Sequence, residues 1–301
     1  MDLVVTVPAF LDLTFVGLEG LPALGEERFA GDLVRSPGGG AITAIAAARL
    51  GLRTALAAPL GDDPMGDLVA LELEREGVTI AGPRTWRTPQ TLVMPVGEER
   101  AMITVDPGVR AREADIAALA PIAVAANLDQ LHLVPEGAHA YVTCGDDDAR
   151  AFAQKPPAAI GRARALFLDR QDALLLTGAD ALDQALSQLA DLVETIVISQ
   201  GAHGSMAVRG GQRVDTPDYE TGPVVDTTGD CDLRCAAYAW SDLRGAEPDE
   251  CLAWAQLYAK LATTVPTATG GAVTQEKLVE EGTRRGLAAP GVSEPSDPAA
   301  R

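Results

Sequence analysis

Residues that build disulfide-linked, zinc-binding or membrane-spanning proteins are scarce in this sequence. The 301 residues include three scattered histidines and no Cys-x-x-Cys pair, so we predict neither a disulfide framework nor a zinc site. The longest uncharged apolar stretch, residues 117–126, is too short to cross a bilayer. The start of the chain lacks the basic segment of a secretory signal, and we expect a cytoplasmic protein. The cysteines are Cys144, Cys231, Cys235 and Cys251.

Aromatic residues (4%) and basic residues (24, against 43 acidic ones) are also few. The interior must therefore consist mainly of Ala, Val, Leu and Ile. A formal net charge of −19 repels nucleic acids and anionic membranes, so neither is an expected partner. An anionic ligand would need local help from a helix N-terminus, backbone N–H groups or Mg²⁺.

Short apolar runs alternate with helical patterns along most of the chain. Residues 41–50 are apolar on nearly every side, as in a buried helix. Residues 65–76 and 179–192 are amphipathic. This alternation predicts an α/β fold: a doubly wound, mostly parallel sheet with helices on both faces. The predicted strands are residues 3–7, 54–58, 130–134, 140–144, 165–168 and 195–199.

Two regions interrupt this rhythm and predict a small β appendage. Segments near 13–36 and 86–105 have short alternating patterns, and Gly97-Glu98-Glu99-Arg100 is typical of a hairpin tip. Surface hairpins without a role are the alternative. Residues 287–301 are rich in Pro, Ala, Ser and Gly, so we predict one domain over residues 1–286 and a disordered tail.

The segment Asp226-Thr227-Thr228-Gly229-Asp230-Cys231-Asp232 precedes a helical pattern over residues 233–243. A helix N-terminus at this point would present unpaired N–H groups to an anion. A carboxylate beside it could accept a proton from a substrate hydroxyl. By spacing alone, Asp230 or Asp232 could equally be an ordinary helix N-cap.

A glycine run, Gly38, Gly39 and Gly40, opens the buried helix and would let a ligand approach the backbone. The run has neither the Gly-Lys-Ser/Thr of a Walker A loop nor the spacing of a dinucleotide fingerprint. A further acidic loop, residues 61–67, starts the helix at residue 65. A capped turn explains that loop without any function.

In their order, these segments resemble the signatures of the phosphofructokinase B, or ribokinase-like, family of carbohydrate and nucleoside kinases. The similarity runs from about Val4 to Ala289. It rests on Gly38 to Gly51, Gly61 to Gly66, Gly97 to Arg100, Asp226 to Asp232 and Thr267 to Ala272. The resemblance implies a β lid over a sugar, ATP and Mg²⁺ as cofactors, K⁺ as an optional third, and a sugar or polyol as substrate. It also allows a homodimer formed through the lid.

The resemblance implies a role for each matching residue. Asp232 would be the base that deprotonates the accepting hydroxyl, and the backbone of Gly229, Asp230 and Cys231 the anion hole. Asp12 would bind a sugar hydroxyl, beside Gly38, Gly39, Gly40 and Thr43. Arg100 is a candidate substrate contact, although a solvated hairpin charge is the simpler interpretation. Nucleotide and Mg²⁺ contacts would come from Asp169, Asp172, Ser199, Gly201, Gly204, Gly271 and Gln256, and a monovalent-cation site from Asp226 and Thr228.

The anion hole departs from the family pattern, whose usual form is Asp-Thr-Thr-Gly-Ala-Gly-Asp. Asp230 adds a carboxylate, and Cys231 replaces the glycine that faces the phosphate. A like-charge contact at about 4 Å and an effective dielectric of about 20 costs about 4 kcal/mol, or roughly a thousandfold in rate. Arg234, where members usually carry Phe, could pair with Asp230. Asp169-Arg170-Gln171-Asp172 stands where the family has Asn-x-x-Glu.

Two functions are therefore weighed. The first is an ATP-dependent kinase for a sugar or polyol hydroxyl, with ribose, fructose, a keto-deoxy acid and a nucleoside all open as substrates. The second is a catalytically impaired relative that binds ligands or regulates, because Asp230 and Cys231 disrupt the anion hole. An unrelated nucleotide-binding oxidoreductase is disfavoured by the missing dinucleotide fingerprint.

Overall fold

The computed structural model describes residues 1–96 and 99–291. The strands in this part of the chain are β1 (Leu3–Val5), β2 (Ala9–Val16), β3 (Asp32–Gly39), β4 (Thr54–Leu56), β5 (Leu60–Gly61), β6 (Thr79–Ile80), β7 (Arg84–Thr85), β8 (Gln90–Val96), β9 (Glu99–Val105), β10 (Ala123–Asn127), β11 (His139–Thr143), β12 (Ala163–Asp169), β13 (Thr195–Ser199), β14 (Ser205–Arg209) and β15 (Gln212–Thr216). The helices are α1 (Gly40–Arg49), α2 (Pro64–Arg75), α3 (Glu113–Ala117), α4 (Asp146–Ala151), α5 (Arg170–Thr177), α6 (Leu182–Ala190), α7 (Asp230–Asp242), α8 (Pro248–Ala262), α9 (Ala268–Gly271) and α10 (Gln275–Arg284).

Nine strands form the main sheet in the order β15-β14-β13-β12-β11-β10-β1-β4-β6. The strands from β13 to β6 are all parallel to their neighbours, whereas β14 and β15 close one edge antiparallel. The chain moves outward from β1 to β6 and then crosses to β10 on the other side of β1. Ligands of open parallel sheets bind at such a change of direction, beside the carboxyl ends of the strands.

Alternate residues of each central strand face two separate cores. Leu3 and Val5 pack with α1, α2, α7 and α8, whereas Val4 packs with α3, α4, α5 and α6. Because both faces are covered, the central strands contain continuous apolar runs rather than apolar residues at alternate positions only. The predicted doubly wound sheet with helices on both faces is confirmed.

One predicted strand, residues 130–134, was wrong. These residues belong to a 3-10 helix, Leu128–Leu133, and the strand is β10 just before it. The sequence of β10 is Ala-Val-Ala-Ala-Asn, and alanine has a low intrinsic preference for strands. Burial between two helical layers decides the conformation of β10, and local propensity does not report it.

The predicted β lid is a four-stranded sheet in the order β3-β2-β8-β9. Asp12 lies in the centre of this sheet, paired in register with Ser36 on one side and Thr91 on the other. The strands on either side of the predicted hairpin tip are antiparallel; Gly97 and Glu98 of the tip itself lie outside the described residues. A minor parallel pair joins β5 to β7.

The end of the predicted domain, residue 286, is followed by two residues that contact the core. Leu287 packs against the cluster formed by α7 and α8, and the Trp254 indole N–H donates to the Ala288 carbonyl (3.2 Å). The remainder of the predicted tail, from residue 292, lies outside the described residues. Among the described helices, none is long and apolar enough to cross a membrane.

Candidate active site

Helix α7 begins at Asp230, directly after Gly229, and no side chain in the described part of the chain caps its first turn. Gly229 has φ = 75°, a conformation that favours glycine. A Cβ at this position would lie 2.8 Å from the Ala268 Cβ and 2.9 Å from the Ile42 Cδ1. The turn therefore requires glycine, and the uncapped N–H groups of the first turn are suited to bind an anion.

Asp232 lies in this first turn, with its carboxylate held by a fully buried threonine. The Thr43 hydroxyl donates to Asp232 Oδ1 (3.0 Å). Burial raises the pKa of Asp232 to about 7; the bond from Thr43 opposes this rise, and the charge of Asp230 adds to it. A carboxylate with a pKa near 7 is matched to proton abstraction near neutral pH. Thr43, expected to contact a substrate, is thus a partner of the candidate base.

Asp12, from the lid strand β2, is the second carboxylate of the site. Burial, with a smaller contribution from the charges of Asp232 and Asp226, raises its pKa to about 7. The structure therefore brings three carboxylates together that are far apart in the sequence. Perturbed acids of this kind cluster at catalytic sites.

The glycine run has a packing role. A Cβ on Gly38 would lie 2.2 Å from the Asp12 carboxyl group, and one on Gly40 would lie 2.1 Å from the Val7 carbonyl. Gly39 has φ = 55° and would place a Cβ against the Phe10 ring. Protein atoms occupy the space that the glycines leave, so the run seats Asp12 rather than leaving the backbone bare for a ligand.

Asp226 joins the loop before α7 to the 267–271 turn, which consists of Thr267 and the short helix α9. Its Oδ1 accepts from the Thr228 N–H (2.8 Å) and its Oδ2 from the Thr267 N–H (2.9 Å). The Thr228 hydroxyl is buried with no hydrogen-bond partner among the described residues. An orphaned hydroxyl beside a carboxylate is compatible with a bound monovalent cation, since such a group otherwise lacks compensation.

Sequence reasoning missed two residues, Thr267 and Arg49, that fix the conformation of the 267–271 turn. Thr267 adopts φ = 65°, which is uncommon for a β-branched residue. The Arg49 guanidinium donates to the Thr269 and Ala272 carbonyls (2.6 and 2.5 Å) and pairs with Glu76. Arg49 lies within the stretch that resembles the first family signature, which is the signal that could have identified it. A Cβ on Gly271 would lie 2.1 Å from the Ala262 carbonyl.

The candidate magnesium-side acids lie at the end of β12. Asp169 caps α5, and its Oδ1 accepts from the Asp172 N–H (2.7 Å). Burial raises the pKa of Asp172 to about 7, and the charges of Asp169 and Asp146 add to the rise. The three carboxylates concentrate negative charge where a divalent cation would relieve it. Within residues 1–96 and 99–291, no group of three or more His, Cys, Asp or Glu is arranged to hold a metal by itself.

The candidate nucleotide segment follows β13. Ser199 ends that strand, and the Gln200 N–H donates to the Gly204 carbonyl (2.9 Å), which closes a turn. Gly201 has φ = 56° with open space where a Cβ would be. Gly204 has φ = 83°, and its Cβ would lie 2.1 Å from the Thr216 carbonyl. Gly201 therefore leaves room at the surface, whereas Gly204 is needed because the backbone of Thr216 packs directly against it.

Arg234 forms the ion pair with Asp230 that the sequence suggested. Its Nε and Nη2 donate to the two carboxylate oxygens (2.7 and 3.1 Å). Its Nη1 donates to the Gln256 side chain, and the Gln256 amide donates to Asp218 (2.9 Å). Gln256, expected near the adenine, is buried with both ends of its amide engaged, because α8 packs directly on α7 at this point. In the structure it serves Arg234 rather than an open nucleotide site.

Arg100 reaches from the lid strand β9 to the loop before α7. Its guanidinium donates to the Thr227 hydroxyl (2.6 Å). The side chain is exposed. The lid strand β9 therefore contacts the loop before α7, and the candidate cleft is the space between the lid and this loop.

The site combines a helix N-terminus, a half-buried carboxylate in its first turn and a β lid. The model of the pfkB family carbohydrate kinases matches residues 19–275, and the chain belongs to this family. It is 27% identical over 242 residues to the acarbose 7(IV)-phosphotransferase of Actinoplanes sp., covering 76% of this chain and 81% of the relative. It is 25% identical over 221 residues to an uncharacterized sugar kinase of Archaeoglobus fulgidus, covering 67% and 88%.

Solved structures show the same fold. A ribokinase of Arabidopsis thaliana, complexed with ribose and ATP, superposes with a TM-score of 0.77 at 23% identity, covering 93% of this chain and 97% of that one. A ribokinase of Thermotoga maritima gives a TM-score of 0.78 at 17% identity, covering 93% and 98%. The resemblance inferred from the sequence is confirmed at the level of family and fold.

Proposed function

We propose that this protein transfers the terminal phosphoryl group of ATP to a hydroxyl of a small sugar or polyol. The observation that carries the proposal is Asp232, a half-buried carboxylate in the first turn of α7 that accepts a hydrogen bond from Thr43 and has a pKa raised to about 7. Asp232 takes the proton of the substrate hydroxyl. The substrate oxygen then bonds to the terminal phosphorus, and the bond from that phosphorus to the bridging oxygen breaks and releases ADP.

The other residues of the cleft position the reactants. Asp12 accepts a hydrogen bond from a second sugar hydroxyl, and the N–H groups of Gly229, Asp230 and Cys231 bind the transferring phosphoryl oxygens. Asp169 and Asp172 would orient Mg²⁺ through its water when the ion is bound, and Ser199 and Gly201 would border the nucleotide. When Mg²⁺ is bound, it would neutralise part of the phosphate charge. The orphaned Thr228 hydroxyl supports K⁺ beside Asp226.

The proposal is tested with the purified full chain, Mg-ATP and K⁺ against a panel of sugars and nucleosides. The panel includes ribose, fructose, a keto-deoxy acid and acarbose, the last because one relative is named for it. Asp232→Asn should lower turnover by roughly 10²–10⁴-fold, as loss of a general base does. The exposed Asp249→Asn on α8 is the matched control and should leave turnover unchanged. No turnover by the wild type over the whole panel would refute the proposal.

The impaired relative remains the second candidate, because Cys231 keeps a side chain where the anion hole needs open backbone. The diagnostic variant pairs Asp230→Ala with Cys231→Gly. A wild type without turnover together with an active double variant would establish that this anion hole is disabled. Turnover by the wild type excludes this second candidate.

A further inference from the structure

The charge of Asp230 is not left facing the anion site. Both carboxylate oxygens are bonded to Arg234, one turn further along α7 (2.7 and 3.1 Å). An aspartate in the first turn of a helix can instead bond to the free N–H groups of that turn. Within residues 1–96 and 99–291, no side chain bonds to those N–H groups. The ion pair therefore holds the carboxylate along the side of the helix and keeps the first-turn N–H groups open.

Arg234 is itself fixed by a series of polar groups, of which Gln256 is buried and Asp218 and Lys260 are half-buried. Its side chain is 5% exposed, and its Nη1 donates to Oε1 of the Gln256 side chain. The Gln256 amide nitrogen donates to Asp218 Oδ1 (2.9 Å), and Lys260 Nζ donates to Asp218 Oδ2 (2.7 Å). This series, Asp230-Arg234-Gln256-Asp218-Lys260, alternates in charge and sums to zero. Only one orientation of the Gln256 amide satisfies both of its neighbours, so the series fixes the direction of the guanidinium.

We propose that Arg234 is a positioning residue that neutralises Asp230 and draws its carboxylate away from the phosphate-binding turn of α7. The inference rests on the proposed function, since it concerns the anion site of the same reaction. In Arg234 the chain carries a cation that compensates for the additional carboxylate of its anion hole. Asp230 and Arg234 therefore form one unit, in which Asp230 is harmful to the site only when Arg234 is absent.

The test is a double-mutant cycle read by the affinity for Mg-ATP, with Arg234→Met, Asp230→Ala and the double variant. Methionine keeps most of the apolar length of the side chain and removes its charge. Arg234→Met should weaken Mg-ATP binding by roughly 10- to 100-fold, less than the limit for a fully desolvated charge because Asp230 is partly exposed. Asp230→Ala should bind Mg-ATP at least as tightly as the wild type. The double variant should return to within about threefold of the wild type, because no uncompensated charge remains.

A role in packing alone predicts a different pattern. In that case Arg234→Met and the double variant would lose the same affinity, since both lack the guanidinium. This equality would overturn the inference. Lys260→Met, which removes a cation at the far end of the same series, is the matched control and should change Mg-ATP affinity by less than about threefold. If Lys260→Met and Arg234→Met lose the same affinity for Mg-ATP, the inference is also overturned. The loss of any nearby cation would then weaken binding, and Arg234 would have no particular role.

Inorganic phosphate separates the inference from the proposed function. Its binding is measured by the rise of the unfolding temperature with phosphate concentration in all four proteins. A wild type that binds phosphate but not Mg-ATP overturns the proposed function, and the phosphate cycle then decides the inference by the same pattern. A wild type that binds neither overturns both. If the wild type binds Mg-ATP and all three variants bind it with the same affinity, the inference alone is overturned.

Discussion

Removing the hydroxyl of Thr43 should move the pH dependence of turnover to higher pH. Thr43 is fully buried and donates to Asp232 at 3.0 Å, so Thr43→Val keeps the shape of the side chain and loses the bond. That bond favours the ionised carboxylate, and its loss raises the pKa of Asp232 above its present value of about 7. A hydrogen bond to a charged group contributes about 1.5–3 kcal/mol. At about 1.4 kcal/mol for each pKa unit, the shift should be about 1–2 units.

The assay is the pH profile of kcat/KM, which reports the groups of the free enzyme. The acidic limb of the wild type should lie near pH 7, and that of Thr43→Val near pH 8–9. Thr43→Ser keeps a hydroxyl and should restore the limb to within about half a unit of the wild type. An unchanged limb in Thr43→Val, or an equal shift in Thr43→Ser, would refute the reasoning, since the hydroxyl would then have no effect on Asp232.

The stability of the same variant supplies an independent check. The pKa of Asp232 is raised from 3.8 to about 7 in the folded protein, so the folded state binds the proton more tightly than the unfolded state. Stability due to this group is present below about pH 4 and is lost as pH rises to about 7. In Thr43→Val the loss should continue to about pH 8–9, because the folded pKa is higher. Urea unfolding across this pH range measures the difference.

Three further variants test other parts of the same picture. Asp12→Asn removes an acid whose folded pKa is raised to about 7. It should therefore raise the unfolding free energy by about 2 kcal/mol more near pH 8 than near pH 5.5; an equal effect at both values would contradict the raised pKa. Gly229→Ala places a side chain at φ = 75° against Ala268. It should cost at least about 1–2 kcal/mol of stability and weaken Mg-ATP binding, measured by urea unfolding and calorimetry; wild-type values would show that the turn tolerates a side chain. Asp242→Asn removes the partner of the half-buried Arg164 at the far end of α7. It should cost about 2–3 kcal/mol with no change in Mg-ATP affinity, and a large loss of affinity would contradict the separation of the two ends of the helix.

The aromatic residues illustrate how a sequence poor in large rings still obtains a dense interior. Trp240 and Trp254 meet edge to face at 5.6 Å between α7 and α8, and Phe167 meets Tyr238 at 5.4 Å between β12 and α7. Alanines fill much of the remaining contact between α1 and α7. These rings pack the C-terminal half of the helix that carries Asp232 against β12 and α8.

Most of the fold could be predicted because its signals are local. Continuous apolar runs, glycines at turns and acidic helix starts each constrain a few neighbouring residues, and their order along the chain matched a known family. The strand β10 was missed because its alanines carry little strand preference, and only burial between two helical layers determines its conformation.

The sequence identified candidate site residues, but it did not show most of the contacts that these residues make. The sequence alone identified Asp12, Asp226 and Asp232 as candidates, and it suggested that Arg234 could meet Asp230, since four residues along a helix is one turn. It could not show that Thr43 bonds to Asp232, that Gln256 is turned toward Arg234, or that Asp218 and Lys260 complete the series. Those contacts join segments distant in the chain, and they arise only when α1, α7 and α8 pack together. Burial in that packing also sets the pKa values of the acids, because desolvation depends on the surrounding atoms and not on the neighbours in sequence.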